Sequence, residues 1–141
     1  MSTFVDTSAL LTLLDADQPH HVEAAGTWRD LLERDEPLVA TNYVLVETYA
    51  LVQRRLAMDA VRALTDEFVP LLTIDWIDDV THGAAVAALL TSGRRHLSLV
   101  DCASFLIMRR RGLTRAFAFD ADFEEQGFDT VPSLAGRSAH P

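Results

Sequence analysis

The chain alternates short apolar runs with longer stretches in which apolar residues recur at helical spacing. The short runs predict five strands, at residues 2–5, 38–41, 71–74, 115–119 and 128–131. The longer stretches predict helices at residues 9–14, 20–32, 43–56, 58–68, 79–93 and 99–112, and a short helix after 120. Because strands and helices alternate, we expect a mostly parallel sheet between two helical layers, joined by right-handed crossovers.

Length and composition fit one globular domain. The chain has 141 residues, of which 49% are hydrophobic and 23% are charged, which is enough for a sizeable core. We expect the domain to span residues 1–133 and residues 134–141 to form a frayed tail. No apolar run approaches the roughly 18 residues of a membrane span, the start shows no secretory leader, and Cys102 is the only cysteine. These features favour a cytoplasmic protein.

Two carboxylates follow predicted strands. Asp6 ends the first apolar run and Asp120 ends the fourth. In an open parallel sheet, ligands bind beyond the carboxyl ends of the strands, so the two acids would face one crevice although they are far apart in sequence. Each acid is also well placed to cap the helix that follows it, and the local pattern leaves that simpler interpretation open.

Two further acids stand on predicted helices. Glu47 lies in a helix that is apolar nearly all round, where an unpaired buried carboxylate would be strongly unfavourable. We therefore expect Glu47 to face a cavity, a cation or a ligand, although Gln53 and Arg54 nearby leave a solvated face open. Asp101 stands three residues after Ser98 in the pattern of a capping box, so it is either a capping residue or a site residue.

Four acids in one crevice would favour a metal ion. Carboxylates about 5 Å apart repel by roughly 3 kcal/mol per pair at an effective dielectric constant near 20, so such a cluster persists only when protonated or metal-bound. An all-oxygen site suits Mg²⁺ or Mn²⁺, which can activate a water, orient a phosphodiester and offset charge on the leaving oxygen. The net charge of −9 argues against nonspecific nucleic-acid binding, but a bridging metal would let a substrate phosphate approach.

The acidic motifs resemble those of PIN-domain proteins and, at this length, VapC-type toxin ribonucleases of type II toxin–antitoxin systems. The resemblance covers about residues 4–131 and is carried by Phe4–Leu10, Glu47, Leu99–Ala103 and Phe119–Phe123. It implies a three-layer α/β/α sandwich, Mg²⁺- or Mn²⁺-dependent endoribonuclease activity, a cognate antitoxin and a homodimer. The implied metal ligands and catalytic acids are Asp6, Glu47, Asp101 and Asp120, with Asp122 as an auxiliary acid and Thr7 or Ser8 as the hydroxyl that binds a metal-bound water.

Within the last motif, Asp120 is the expected ligand because it directly follows the predicted strand, whereas Asp122 falls in the first turn of the next helix.

Two alternative functions stay open. One is a PIN-like module that binds RNA or a partner protein without cleaving RNA. The other is a Mg²⁺-dependent phosphatase with Asp6 as nucleophile, although Ser8 stands where that chemistry would need a second acid.

The RNA-binding surface is left open by the sequence. All twelve basic residues are arginines, whose planar guanidinium suits bidentate phosphate contacts. The candidates for RNA contact are Arg54, Arg55, Arg94, Arg95 and Arg109 to Arg111.

Overall fold

The central feature of the fold is a five-stranded sheet in which every neighbouring pair of strands is parallel. The computed structural model describes residues 1–133, so the tail predicted for residues 134–141 lies outside the described residues. The strands are β1 (Thr3–Val5), β2 (Leu38–Thr41), β3 (Thr73–Asp75), β4 (Arg115–Phe117) and β5 (Asp129–Val131). Their order across the sheet is β3-β2-β1-β4-β5, which puts β1 beside β4 at the centre.

Helices fill the connections between these strands. Within residues 1–133 they are α1 (Thr7–Leu14), α2 (His21–Glu33), α3 (Asn42–Arg55), α4 (Met58–Ala63), α5 (Asp79–Ser92), α6 (Leu99–Arg111) and α7 (Asp122–Glu125). Five parallel strands joined by helical crossovers confirm the predicted α/β class. None of the helices in this part of the chain has the length and apolar character needed to cross a bilayer.

The segment predicted as one helix over residues 58–68 differs in the structure. The α-helix ends at Ala63, and the chain continues as a π-helical turn over Leu64–Phe68 and a 3₁₀ turn over Val69–Leu71. Pro70, in the 3₁₀ turn, prevents an α-helix from continuing through that turn, because it lacks an N–H and its ring clashes with the preceding turn. The extra turn also delays β3, which begins at Thr73 rather than at the predicted residue 71.

The two central strands supply the middle of the core. Phe4 pairs in register with Ala116 and Val5 with Phe117, and all four are fully buried. Apolar residues on both faces of a strand are typical of a parallel sheet that is covered on both sides. Phe123, just after β4, packs its ring 6.3 Å from that of Phe4 and closes this part of the core.

A partly buried ion pair holds the amino-terminal edge of the sheet. Thr3 and Arg115, at the starts of β1 and β4, both donate hydrogen bonds to the carboxylate of Glu36. Burial alone would raise the pKa of Glu36, but the hydrogen bonds from Arg115 and Thr3 and the positive charge of Arg115 hold it below its usual value. Arg34 adds a weaker favourable charge, so it too lies near this edge.

The opposite, carboxyl-terminal edge is where several helices begin. Asp6 caps α1, Thr41 caps α3, and Ser98 caps α6 in a complete capping box with Asp101. The capping interpretations of Asp6 and Asp101 are therefore correct as far as local structure goes. They do not exclude a second role, because these two carboxylates also reach a shared cavity.

Candidate metal centre at the carboxyl edge of the sheet

A cavity of about 330 Å³ lies at the carboxyl edge of the central strands. Its walls come from the start of α1, the middle of α3, the start of α6 and the turn after β4. The lining residues are Asp6, Thr7, Ser8, Leu11, Glu47, Leu51, Ser98, Asp101 and Asp120. The structure thus brings together the four acids that the sequence singled out.

Asp6 forms the floor of this cavity. Its side chain is buried, and one carboxylate oxygen accepts hydrogen bonds from the Ser8 backbone N–H at 3.1 Å and the Ser8 hydroxyl at 2.6 Å. Burial raises the pKa of Asp6 to about 7; the Ser8 hydrogen bonds oppose the rise, and the charges of Asp101 and Asp120 add to it. A cation bound nearby would stabilise the ionised form of this carboxylate.

The chain leaves the sheet before Asp120, so the predicted strand over residues 115–119 is two residues too long. β4 ends at Phe117, and the Phe119 N–H donates to the Ser8 hydroxyl at 2.9 Å instead of to a neighbouring strand. Asp120 therefore lies three residues past β4, not directly after it. Its carboxylate accepts a hydrogen bond from the Asp122 N–H at 2.9 Å, which fixes the turn into α7.

Three carboxylates converge on the α6 side of the cavity. Asp101, Asp120 and Asp122 each present an oxygen, and these three oxygens lie within 4.8 Å of one another. Burial raises the pKa of Asp101, and the charges of Asp120 and Glu47 raise it further against the hydrogen bond from Ser98. Burial and the charge of Asp120 likewise raise the pKa of Asp122. Asp122 therefore belongs to the same electrostatic cluster as Asp120.

The two hydroxyl residues after Asp6 have different surroundings. The Thr7 hydroxyl is buried and donates to the Val44 carbonyl at 3.3 Å, so it joins α1 to α3. The Ser8 hydroxyl bridges Asp6 and Phe119, which makes Ser8 the one that orients a site carboxylate. Glu47, half-buried on α3, makes no hydrogen bond or ion pair to any residue in the described range 1–133.

The donor set fits a hard divalent cation. All the converging groups are carboxylate oxygens, and no arginine within residues 1–133 forms an ion pair with Asp6, Glu47, Asp101 or Asp120. Oxygen ligands with several negative charges are what Mg²⁺ and related ions prefer. Without a cation, the mutual repulsion contributes to the raised pKa values of Asp6, Asp101 and Asp122.

Two features of the site were not apparent in the sequence. His96 lies with its Nε2 3.4 Å from Asp122, so the α5–α6 loop reaches the rim of the site. A second group, formed by His96, Asp122 and Glu125, could also offer ligand atoms within 4.8 Å of one another. Neither has a local sequence signal, since these residues are brought together only by the packing of α6 against α7.

Sequence comparison identifies relatives along nearly the whole chain. The PIN domain model matches residues 3–129. The 23S rRNA-specific endonuclease VapC20 of Mycobacterium tuberculosis is 36% identical over 132 residues, which is 91% of this chain and 96% of that protein. Ribonuclease VapC13 of the same organism is 31% identical over 137 residues, covering 92% of this chain and 95% of that protein.

Solved structures with the same fold include proteins of the same kind. The crystal structure of M. tuberculosis VapC20, described as a sarcin–ricin loop cleaving toxin, superposes with a TM-score of 0.77 at 32% identity, covering 90% of this chain and 96% of that one. FitAcB from Neisseria gonorrhoeae has a TM-score of 0.65 at 15% identity, covers 91% of this chain and 95% of that one, and shares the fold alone. The predicted three-layer α/β/α class and the predicted family are confirmed. The chain belongs to the PIN domain family, among proteins of the VapC type.

Proposed function

We propose that this protein is a divalent-metal-dependent endoribonuclease, acting in the cytoplasm as the toxin of a type II toxin–antitoxin pair. The observation that carries the proposal is the convergence of Asp6, Glu47, Asp101 and Asp120 on one cavity. It is supported by 36% identity to a protein named as a 23S rRNA-specific endonuclease. RNA is therefore the proposed substrate, and 23S rRNA is the first one to try.

Asp6, Asp101 and Asp120 would hold the ion, with Asp122 close enough to join them. When bound, Mg²⁺ or Mn²⁺ would neutralise charge on the scissile phosphate and lower the pKa of a coordinated water. Ser8 fixes the direction of the Asp6 carboxylate through its 2.6 Å hydrogen bond, and the capping box fixes Asp101. Such supporting contacts keep ligands aligned and raise metal affinity.

Glu47 has a different proposed role. Its carboxylate faces the cavity from α3 and has no hydrogen-bond partner within the described residues. It is therefore available to accept a proton at a carboxylate oxygen from the attacking water. Leu11 and Leu51 add apolar side chains to the cavity wall beside the acids, and electrostatic interactions are stronger beside apolar groups than in bulk water.

The proposed protein partners are a second copy of this chain and an antitoxin. An apolar depression of about 400 Å³ adjoins the site and is lined by Asn42, Tyr43, Val46, Glu47, Ala50 and Val100. Val46 is 68% exposed there, and a contiguous exposed apolar patch is typical of a surface that binds another protein. A second copy would cover this face, and the antitoxin would silence the enzyme by placing an arginine among the acids.

The test compares the purified wild-type chain with Asp6→Asn on 23S rRNA and on an unrelated RNA, in Mg²⁺, in Mn²⁺ and in chelator. We expect discrete cleavage products only from the wild type and only with metal. A chain that merely binds RNA would retain the RNA but leave it intact under every condition. Adding purified antitoxin should stop cleavage; binding of the antitoxin without inhibition would reject the partner proposal.

A further inference from the structure

Among the described residues, some arginines hydrogen-bond or pair with another side chain of the protein, whereas others have no such contact and can bind a ligand. Within residues 1–133, six arginines contact a side chain: Arg62 with Asp59, Arg94 with Glu125, Arg109 with Gln126, Arg110 with Thr81, Arg111 with Asp75 and Arg115 with Glu36. Four of the seven candidates that the sequence offered for RNA contact are in this group. Arg54, Arg55 and Arg95 are exposed and form no hydrogen bond or ion pair in the described part of the chain.

Arg54 lies on the α3 rim of the acidic cavity. Glu47 and Leu51, both on α3, line that cavity. Arg54 follows Glu47 by seven residues and Leu51 by three, so it projects from nearly the same helix face. At 1.5 Å per residue, it stands about 10 Å along the helix from Glu47. Arg55 follows Leu51 by four residues and flanks the same face.

Arg95 lies on the other rim, in the loop between α5 and α6. The next residue, His96, has its ring nitrogen 3.4 Å from the Asp122 carboxylate. Ser98, three residues after Arg95, lines the cavity itself. Arg95 is thus held close to the cluster of Asp101, Asp120 and Asp122. Its neighbour Arg94 is already paired, with Glu125 at 3.5 Å.

We propose that Arg54 and Arg95 bind the RNA phosphates on the two sides of the scissile phosphate, so that the RNA strand crosses the cavity from the α3 rim to the α5–α6 loop. This inference rests on the proposed function and names the surface that holds its substrate. A chain of net charge −9 with converging carboxylates repels RNA nearly everywhere. Free guanidinium groups on both rims supply local attraction and can grip phosphate with two hydrogen bonds each.

The experiment measures binding of a fluorescent RNA in Mg²⁺ by anisotropy, in the Glu47→Gln background, which removes the proposed proton acceptor and so prevents cleavage but keeps the proposed metal ligands Asp6, Asp101 and Asp120. Arg54→Gln and Arg95→Gln are compared with Arg34→Gln, which makes the same charge change at the amino-terminal edge of the sheet. We expect each rim variant to weaken binding about three- to tenfold at moderate salt. The slope of log affinity against log salt should fall by about 0.7 for each lost phosphate contact. Arg34→Gln should change affinity less than twofold.

Two results would overturn the inference. In the first, the rim variants bind RNA as tightly as Arg34→Gln does, and melting midpoints show that all variants are folded. In the second, Arg54→Gln, Arg95→Gln and Arg34→Gln lose the same RNA affinity, which would mean that binding depends only on the total charge of the protein. Cleavage by the otherwise wild-type chain is measured separately. If the otherwise wild-type chain cuts RNA while the rim variants bind RNA normally, only this inference fails. If that chain never cuts RNA but the rim variants bind RNA more weakly, only the proposed nuclease activity fails.

Discussion

Replacing Asp6 with Asn should make the metal-free protein more stable at alkaline pH. The wild-type carboxylate is buried, and its pKa is raised from 3.8 to about 7 in the folded chain, with burial as the main cause. Asn carries no charge and caps a helix as well as Asp does. It can still accept the hydrogen bonds that Ser8 donates. The variant therefore removes the unfavourable charge while leaving the local structure in place.

The sign and size of the effect follow from proton binding. Below pH 3.8 Asp6 is protonated in both the folded and the unfolded chain. Between pH 3.8 and about 7 the folded chain keeps a proton that the unfolded chain has lost. Wild-type stability should therefore fall by about 1.4 kcal/mol per pH unit across this window, on the order of 4 kcal/mol in total. For a domain of this size, that corresponds to roughly 10 °C in melting midpoint.

The assay is thermal or urea unfolding in chelator from pH 4 to 8, repeated with millimolar Mg²⁺. Asp30→Asn, at an exposed position on α2, is the control for simple loss of one negative charge. In chelator at pH 8, Asp6→Asn should be more stable than the wild type, and the difference should shrink towards pH 4. Mg²⁺ at 100 times its dissociation constant should stabilise the wild type by about 2.7 kcal/mol and so narrow the difference from the variant. An Asp6→Asn variant less stable than the wild type at pH 8 in chelator would refute this reasoning.

Four further substitutions test the roles of individual groups. Asp120→Asn should abolish most RNA cleavage while Asp122→Asn loses much less; a larger loss at Asp122 would reverse their assignment. Ser8→Ala should raise the pKa of Asp6 further and weaken Mg²⁺ binding by about tenfold in calorimetry, and unchanged affinity would show that the hydroxyl is dispensable. Glu36→Gln should cost on the order of 2 kcal/mol of unfolding free energy at neutral pH. That difference should vanish as acid protonates wild-type Glu36 through its lowered pKa, whereas an equal cost at pH 3 and 7 would contradict the ion-pair account.

Much of the site could be predicted because it depends on local rules. A parallel sheet places the carboxyl ends of its strands along one edge, and that rule brought Asp6 and Asp120 together before any contact was known. The cost of burying a lone carboxylate pointed to a cavity beside Glu47, and the structure places Glu47 there. The capping pattern at Ser98 fixed where α6 begins and hence where Asp101 lies.

What could not be predicted depends on contacts between distant segments. β4 ends early because the Phe119 N–H bonds to the Ser8 hydroxyl, 111 residues away in sequence. The resemblance named Asp122 only as an auxiliary acid; the approach of its carboxylate to those of Asp101 and Asp120, within 4.8 Å, depends on how the turn into α7 lies against the start of α6. The same is true of the arginines, since local sequence does not show that Arg94 is paired with Glu125.

The central claim is that these acids hold a divalent metal ion, and it is tested most directly by locating the ion. Crystals grown with Mn²⁺ should give an anomalous difference peak in the cavity, roughly 2.0–2.3 Å from carboxylate oxygens of Asp6, Asp101 and Asp120. The peak should disappear in crystals of Asp6→Asn grown under the same conditions. A peak found only at His96, Asp122 and Glu125, or no peak at saturating Mn²⁺, would contradict the account.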